Sequence, residues 1–518
     1  MEMIKIKRAL ISVTNKDLIK DLAIELNNLG VEIYSTRGTS SFLKSLGIEA
    51  FSIENYTGFP EILGGRVKTL HPKIFGGILA RRDVAEHGQQ IRDHEITTFD
   101  LVCVDLYPVR RVISEGSNLE SVIEHIDIGG VSLIRASAKS FKDVAVLVDV
   151  ADFAPILEEL KKTGGLSYET RKRLSGKAFA HCSEYDKAIN EYLSDGAQAL
   201  RYGENPHQTA KYLKTASWIK EVIRGEVSYN NLLDLDGAAE LCFGLKAQGY
   251  KFVAVIVKHG SPCGVGVSET SLDDAFNKAW DCDPISSYGG VLALSDSPKL
   301  ELLDCMKGKF VEVLCAPSYT SDFMQKTKDR KKLKILTLNQ TEVLNPNLQT
   351  PCRSACGGVL LQGRDLWWKD FGTNTTGLNK DFKFVSKRPP SKEEEKALKL
   401  AWSVSAITKS NAIVLANSDR ILGIGGGCVS RIDATNLAVS KTKQKMQQDG
   451  GKTKILQTPI AMASDGFLPF ADSIESVIEI GVSAVIEPGG SIRDEDVITA
   501  CNKSGISLVF TGKRHFRH

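Results

Sequence analysis

Residues 4–47, IKIKRALISVTNKDLIKDLAIELNNLGVEIYSTRGTSSFLKSLG, decide the fold class. Ile4 to Val13 reads as a strand. Thr14, with Asp17 three residues later, has the form of a capping box. Leu18, Ile19, Leu22, Ala23, Leu26 and Leu29 then make one apolar stripe of helical period. Gly30 stands where a C′ glycine belongs. Val31 to Ser35 reads as the next strand, and Thr39 to Leu46 as a second helix closed by Gly47. Leu101 to Leu106 and Val144 to Val148 read as further buried strands. Strands alternating with helices predict an α/β unit with a mostly parallel sheet.

Working outward, residues from about 151 to 195 look helical, through LEELKK and RKRLSGKAFAHCSEYDKAINEYL. The polar turn Ser194-Asp195-Gly196 marks a boundary, giving domains at 1–196 and 197–518. The second part holds buried-strand signals in FVAVIVKH, GGVLAL, FVEVLCA, NAIVLA and SAVIEP. Two of its stretches share a layout, a buried strand leading to a Lys-His or Lys-Ser-Asn turn and then a glycine-rich loop, which predicts two similar α/β subdomains. The runs at 326–334 and 391–399 read as solvated faces or loops.

The whole chain has 518 residues, room for about three domains at roughly 150 residues each. Apolar residues at 42% and charged residues at 25% exclude a disordered chain and a coiled-coil rod. Lys and Arg number 66 against 63 Asp and Glu, so the net charge of +3 is too small for a broad nucleic-acid face. Eleven scattered cysteines form no CxxC pair, and the Cys352/Cys356 spacing has no second pair to complete a zinc site. The opening residues lack a signal-peptide core, and no apolar run is long enough to span a membrane. The expected compartment is the reducing cytoplasm, where the Asn374-Thr375-Thr376 sequon is chance.

Three familiar motifs fail. In GIGGGCVSR (423–431) the third glycine of a dinucleotide fingerprint falls on Cys428. Gly451-Lys452-Thr453 resembles a P-loop ending, but Met446 replaces the leading glycine. Pro262-Cys263 resembles the zinc deaminase signature, but its second cysteine falls on Gly266 and no H-x-E motif accompanies it.

Other groups could carry chemistry. Ser12, Thr14 and Lys16 end one strand, and Ser35, Thr36, Gly38 and Thr39 end the next. Two strand-to-helix turns with hydroxyls and a lysine suit a phosphate, because N–H groups there are unpaired and the helix dipole favours an anion. Taken singly, each turn is more simply a helix cap. GGRVKTLHP (64–72) adds Arg66, Lys68 and Thr69. Tyr107 follows an apolar strand, where open α/β sheets keep their ligands. Asp127, Arg135 and Lys139 come next; a Lys, Tyr and Asp together could hold an oxyanion and move protons. Lys258-His259 ends a strongly apolar strand, badly placed for core packing and well placed for acid/base work. Arg201, Tyr202, Asn411, Arg431 and Arg514 are further polar heads, each blandly a surface contact.

Together, LGGRVKTLHPKIFGGILARR, DIGGVSLIRASAK, LRYGENPHQ, SYNNLLDLDGA, KSNAIVLA, GIGGGCVSR, SDGFLPFAD, EPGGSIRDEDVI and RHFRH resemble the bifunctional purine-biosynthesis family of 5-aminoimidazole-4-carboxamide ribonucleotide (AICAR) transformylase and IMP cyclohydrolase, over nearly the whole chain. The resemblance implies a methylglyoxal-synthase-like N-terminal domain for the cyclohydrolase. It implies a C-terminal transformylase domain of paired cytidine-deaminase-like units without zinc. It implies 10-formyltetrahydrofolate as co-substrate, no catalytic metal, room for a structural monovalent cation, and no nucleic-acid or membrane partner. AICAR, formyl-AICAR, IMP and reduced folate are the implied ligands, in a homodimer whose transformylase sites draw on both subunits.

By the same resemblance, Lys258 and His259 serve formyl transfer, and Arg201, Tyr202, Gly289, Asn411, Arg431, Phe467 and Arg514 hold AICAR. Lys68 and Tyr107 hold the cyclohydrolase oxyanion, and Asp127 and Lys139 transfer protons. Ser12, Thr14, Lys16, Thr36, Gly38, Thr39, Arg66 and Thr69 bind the phosphate. The chain departs from the family at Arg37 (usually Gly), Asp105 (usually Asn), Val109 (usually Phe), Ser140-Phe141 (usually Asn-His) and Cys428 (usually Gln). Arg37 lacks the glycine's freedom at positive φ. Asp105 loses an amide donor and adds charge beside the oxyanion site. Arg37, Asp105 and Phe141 leave open a weak cyclohydrolase; a purine-ribonucleotide sensor without turnover is a separate alternative, against which the retained Lys258-His259 and Lys68-Tyr107-Asp127-Lys139 argue.

Overall fold

The structure, a computed structural model, describes residues 3–193, 197–214, 216–347, 351–372, 377–448 and 458–518. The 194–196 turn, the sequon at 374–376 and Gly451-Lys452-Thr453 lie outside them. The chain forms two compact units, Met1–Ala197 and Gln198–His518.

In the first unit, strands β1 (Arg8–Ser12), β2 (Glu32–Ser35), β3 (Ala50–Ser52), β4 (Leu101–Val104) and β5 (Ala145–Leu147) form one sheet in the order β3-β2-β1-β4-β5. All neighbours are parallel. Helix α1 (Lys20–Asn28) buries Leu22, Ala23 and Leu26, and Gly30 follows it at φ +75°. Helix α2 (Arg37–Ser45) follows β2. Helices α3 (Gly129–Lys139) and α4 (Tyr168–Leu193) pack on each other. The chain winds one way from β1 to β3 and the other way from β4 to β5. The crevice at the carboxyl ends of β1 and β4 is therefore a topological switch point, the standard place for a ligand in such sheets. The capping box does not form. The short 3-10 turn Asp17–Ile19 has no side-chain cap, and the Thr14 backbone N–H donates to Asp105 instead.

The second unit repeats one layout twice. The first copy runs β6 (Ile219–Arg224), α5 (Tyr229–Ala247), β7 (Phe252–Lys258), β8 (Ser261–Ser268), α6 (Leu272–Cys282), β9 (Val291–Leu294), β10 (Val313–Ala316) and β11 (Lys334–Leu338). The second runs β12 (Lys383–Phe384), α7 (Lys392–Ser405), β13 (Ile413–Ala416), β14 (Ile421–Gly425), α8 (Arg431–Gln448), β15 (Ile460–Ser464), β16 (Val482–Glu487) and β17 (Ser507–Phe510). Their sheet orders, β8-β7-β9-β10-β11-β6 and β14-β13-β15-β16-β17-β12, correspond strand for strand. In each, a hairpin pairs antiparallel with a three-stranded parallel core, and an antiparallel edge strand closes the far side. The Lys409-Ser410-Asn411 turn precedes its strand β13, whereas Lys258-His259 ends β7. The layout expected from the sequence thus has those two turns at opposite strand ends.

The glycines of the failed fingerprint are packing devices. A Cβ at Gly423 would lie 2.2 Å from the Ala438 carbonyl oxygen, and one at Gly425 1.9 Å from that of Ala434. The first copy does the same: Gly264 would meet the Ala279 oxygen at 2.1 Å and Gly266 the Ala275 oxygen at 2.2 Å. Each hairpin's second strand carries glycine at two alternate positions facing the following helix, so that the helix backbone lies directly on it. The run at 391–399 begins α7 with a Ser391/Glu394 capping box. Its Lys399 is buried rather than solvated, because the ammonium donates to the Gln248 carbonyl at 2.8 Å.

Candidate active sites

In the first unit the two predicted turns meet. The Thr39 hydroxyl donates to the Val13 carbonyl at 3.4 Å. A Cβ at Gly38 would lie 3.5 Å from Lys16 Cε and 3.7 Å from its Nζ, so the lysine lies against the second turn. Thr36 is the extended N-cap of α2, with no side-chain cap bond of its own. The N-terminus of α2, Lys16 and the end of β1 at Ser12 thus form one cradle. Arg66 is held by Glu124, its Nε 3.2 Å from Oε1. Thr69 is buried, and a Cβ at Gly129 would lie 2.9 Å from its hydroxyl.

Beside the cradle, the Lys68 ammonium donates to the Tyr107 hydroxyl at 3.3 Å and lies 5.7 Å from its ring centre. The Asp127 carboxylate accepts from the Gly130 N–H at 2.7 Å and from the Tyr107 backbone. Burial raises the Asp127 carboxyl above its usual range, against those two bonds and the attraction of Lys68; Asp105 adds to the rise. A carboxyl poised in this way beside two oxyanion donors can give and take protons. Lys139 ends α3, about 15 Å along the helix axis from its first residue.

The departures fall differently. Arg37 opens α2 without a positive φ, so that turn makes no demand for glycine. Phe141 packs on Tyr168, ring centres 5.4 Å apart. Val109 is buried with Val112, Val122 and Tyr185. Asp105 is the consequential one. Its carboxylate accepts from the Thr14 N–H and, at 2.9 Å, from the Asn15 N–H. The protein's own anion holds two donors that a phosphate would use.

In the second unit, Lys258 pairs with Ser261 across a hairpin whose two turn residues are His259 (φ +56°) and Gly260 (φ +74°). Two positive φ angles make this a type I′ turn, which histidine tolerates better than most residues. Asp234 accepts the Gly260 N–H at 2.6 Å and braces the tip. The Lys258 ammonium donates to the Tyr288 carbonyl at 2.7 Å, next to Gly289 at φ +77°. Lys258 and His259 line a cleft of about 280 Å³ between the two copies, opposite Gly423, Gly426 and Lys441. Lys441 crosses it to Asp283 at 2.8 Å. Lys409 also reaches the turn: a Cβ at Gly260 would lie 3.3 Å from its Nζ.

Asn411 donates through Nδ2 to the Cys428 carbonyl at 3.0 Å. Arg431 is paired with the fully buried Asp465, which also accepts the Ala412 N–H at 3.0 Å. The C-terminal strap packs on this group. His515 N–H donates to the Asp465 carbonyl at 3.1 Å, and the Arg514 guanidinium lies 4.9 Å from the Phe516 ring centre. Phe467 is partly exposed. Arg201 lies 5.6 Å from the Tyr202 ring centre, and hydrogen bonds of their loop run within it and to Asn230 of α5. Among the described residues, no group of three or more His, Cys, Asp or Glu is arranged to hold a metal ion. No helix there is long and apolar enough to cross a membrane.

Sequence reading missed the roles of Asp234, Lys409 and Asp465. Each lies far along the chain from the residue it braces or contacts, and no local spacing signals the contact.

Similarity to known proteins spans both units. The MGS-like domain model matches residues 18–132, and the AICARFT/IMPCHase bienzyme model matches residues 137–441. The bifunctional purine biosynthesis protein PurH of Elusimicrobium minutum is 41% identical over 536 residues, covering 99% of this chain and 99% of that protein. Its namesake from Bacillus subtilis is 38% identical over 536 residues, covering 99% of this chain and 100% of that protein. That of Halalkalibacterium halodurans is 40% identical over 538 residues, with the same coverage. With one family model spanning more than half its length and relatives aligned from end to end, this chain belongs to the AICARFT/IMPCHase bienzyme family.

Proposed function

We propose that the protein catalyses the last two steps of IMP synthesis. The second unit, assigned to 197–518, moves a formyl group from 10-formyltetrahydrofolate to the 5-amino group of AICAR. The first, assigned to 1–196, closes formyl-AICAR to IMP with loss of water. The observation that carries this reading is that each unit has its own site of converging titratable groups: Lys68, Tyr107 and Asp127 beside an anion cradle, and Lys258-His259 at a braced hairpin tip.

In formyl transfer, the amino nitrogen of AICAR attacks the formyl carbon. His259 takes the amine proton, and Lys258 steadies the developing charge and helps protonate the departing folate nitrogen. Arg201, Tyr202, Gly289, Asn411, Arg431, Phe467 and Arg514 hold AICAR. In ring closure, the carboxamide nitrogen attacks the formyl carbon, Lys68 and Tyr107 meet the oxyanion, and Asp127 exchanges protons as water leaves. Ser12, Thr14, Lys16, Thr36, Gly38, Thr39, Arg66 and Thr69 hold the phosphate. Lys139, at the far end of α3, shares the proton transfer with Asp127.

No metal takes part in either step, and the reading leaves room for a structural monovalent cation. The transformylase sites are completed across a homodimer in the cytoplasm.

Crossed variants test the assignment. H259A should lose formyl transfer yet convert supplied formyl-AICAR to IMP, and D127N should do the reverse. Loss of both activities in either variant would refute two independent sites.

A further inference from the structure

Helix α4 lies beyond the MGS-like match, yet it holds α3 at both ends. At the far end of α3, Ser175 donates to the Ala138 carbonyl at 2.7 Å. Arg171 donates to the Phe141 and Lys142 carbonyls at 2.9 and 3.0 Å. At the near end stands Tyr185, only 7% exposed. Its hydroxyl accepts the Asp127 backbone N–H at 2.8 Å and donates to the His125 carbonyl at 3.1 Å.

One hydroxyl thus staples the three residues that enter α3. Asp127 hangs from that staple. The His125 ring stands edge-on to Tyr107, ring centres 6.5 Å apart, so the same segment backs the tyrosine of the oxyanion pair. Burial pushes the Tyr185 phenol up to about 12, so it keeps the proton it donates across the working pH range.

We propose that Tyr185 is a positioning residue for ring closure, and that the helical tail carrying it is part of the cyclohydrolase site rather than a connector to the second unit. This rests on the reading that Lys68, Tyr107 and Asp127 close the ring. A misplacement of about 1 Å can cost up to about a hundredfold in rate. Two unpaired backbone groups behind Asp127 leave it that freedom.

The test compares Tyr185→Phe with Tyr185→Leu in the full chain. The phenylalanine keeps the ring packed with Val109, Val112 and Val122 and removes only the hydroxyl. Supplied with formyl-AICAR, Y185F should lose about thirtyfold in kcat with little change in KM, and its formyl transfer should be unchanged. Y185L should melt at a lower temperature but fall in kcat by a similar factor. A kcat that follows melting temperature, with Y185F close to wild type, overturns the proposal and leaves Tyr185 as packing. A wild type that cannot close the ring overturns the underlying reading, and the proposal with it.

Discussion

His515 locks the C-terminal strap that carries Arg514. Its Nδ1 lies 2.7 Å from an Asp365 oxygen and its Nε2 2.8 Å from an Asp370 oxygen. Lys513 and the Trp402 indole also bond Asp370, at 2.8 and 3.1 Å. Burial opposes a charge on this imidazole, but the two carboxylates outweigh it and hold its pKa up to about 9, from an ordinary 6.5. The folded state therefore binds the proton more tightly than the unfolded one. At about 1.4 kcal/mol per pKa unit, the difference is worth about 3 kcal/mol. That stability is fully present below pH 6.5, declines as pH rises and is gone above about 9.

His515→Gln removes the charge and can serve only part of the clamp. Chemical unfolding of wild type and H515Q, followed by a probe in the second unit, should show the wild type ahead by about 3 kcal/mol near pH 6 and the gap narrowing through pH 9. The KM for AICAR in formyl transfer should rise over the same range in the wild type, as the strap loosens around Arg514. A gap that stays constant from pH 6 to 10 would mean that His515 is neutral in the fold, and the clamp argument would fail.

Asp105→Asn frees one anionic competitor from the Thr14 and Asn15 N–H groups, so IMP should bind the first unit about tenfold more tightly by calorimetry; equal or weaker binding would show that Asp105 only orders the turn. Burial pushes the Glu487 carboxyl up to about 8 from 4.5, the attraction of Arg431 notwithstanding. A carboxyl raised in the fold favours the folded state at low pH, so relative to E487Q the wild type should lose up to about 4 kcal/mol between pH 4.5 and 8, measured by denaturant unfolding. Gly425→Ala would drive a methyl into the Ala434 carbonyl and should destabilise the second unit by about 3 kcal/mol or more, read as a drop in its melting temperature.

The first four elements were legible because their periodicities are clean: an apolar strand, a helical stripe, Gly30, then the same again. β3 was not, since three residues of mixed exposure carry no period. In the second unit, apolar β7, β9, β10, β13 and β16 could be read directly. The hairpin strands β8 and β14 looked like loops because glycine is what a helix lying on the strand requires. The same glycines raised a false dinucleotide signal.

At the sites, Lys258-His259 stood out as polar residues capping an apolar strand, and the paired turns stood out as helix starts. Tyr185, Asp234, Lys409 and Asp465 did not, because their partners are distant in sequence and only the packed fold brings them together. The position of Asp105 was visible as a departure, but its grip on the Thr14 and Asn15 backbone was not.

The central claim is that both steps run on this one chain. Purified protein given AICAR and 10-formyltetrahydrofolate, with products separated by chromatography, tests it most directly. IMP as the main product is the predicted result. Formyl-AICAR alone would mean that the first unit does not close the ring, and consumption of neither substrate would contradict the account altogether.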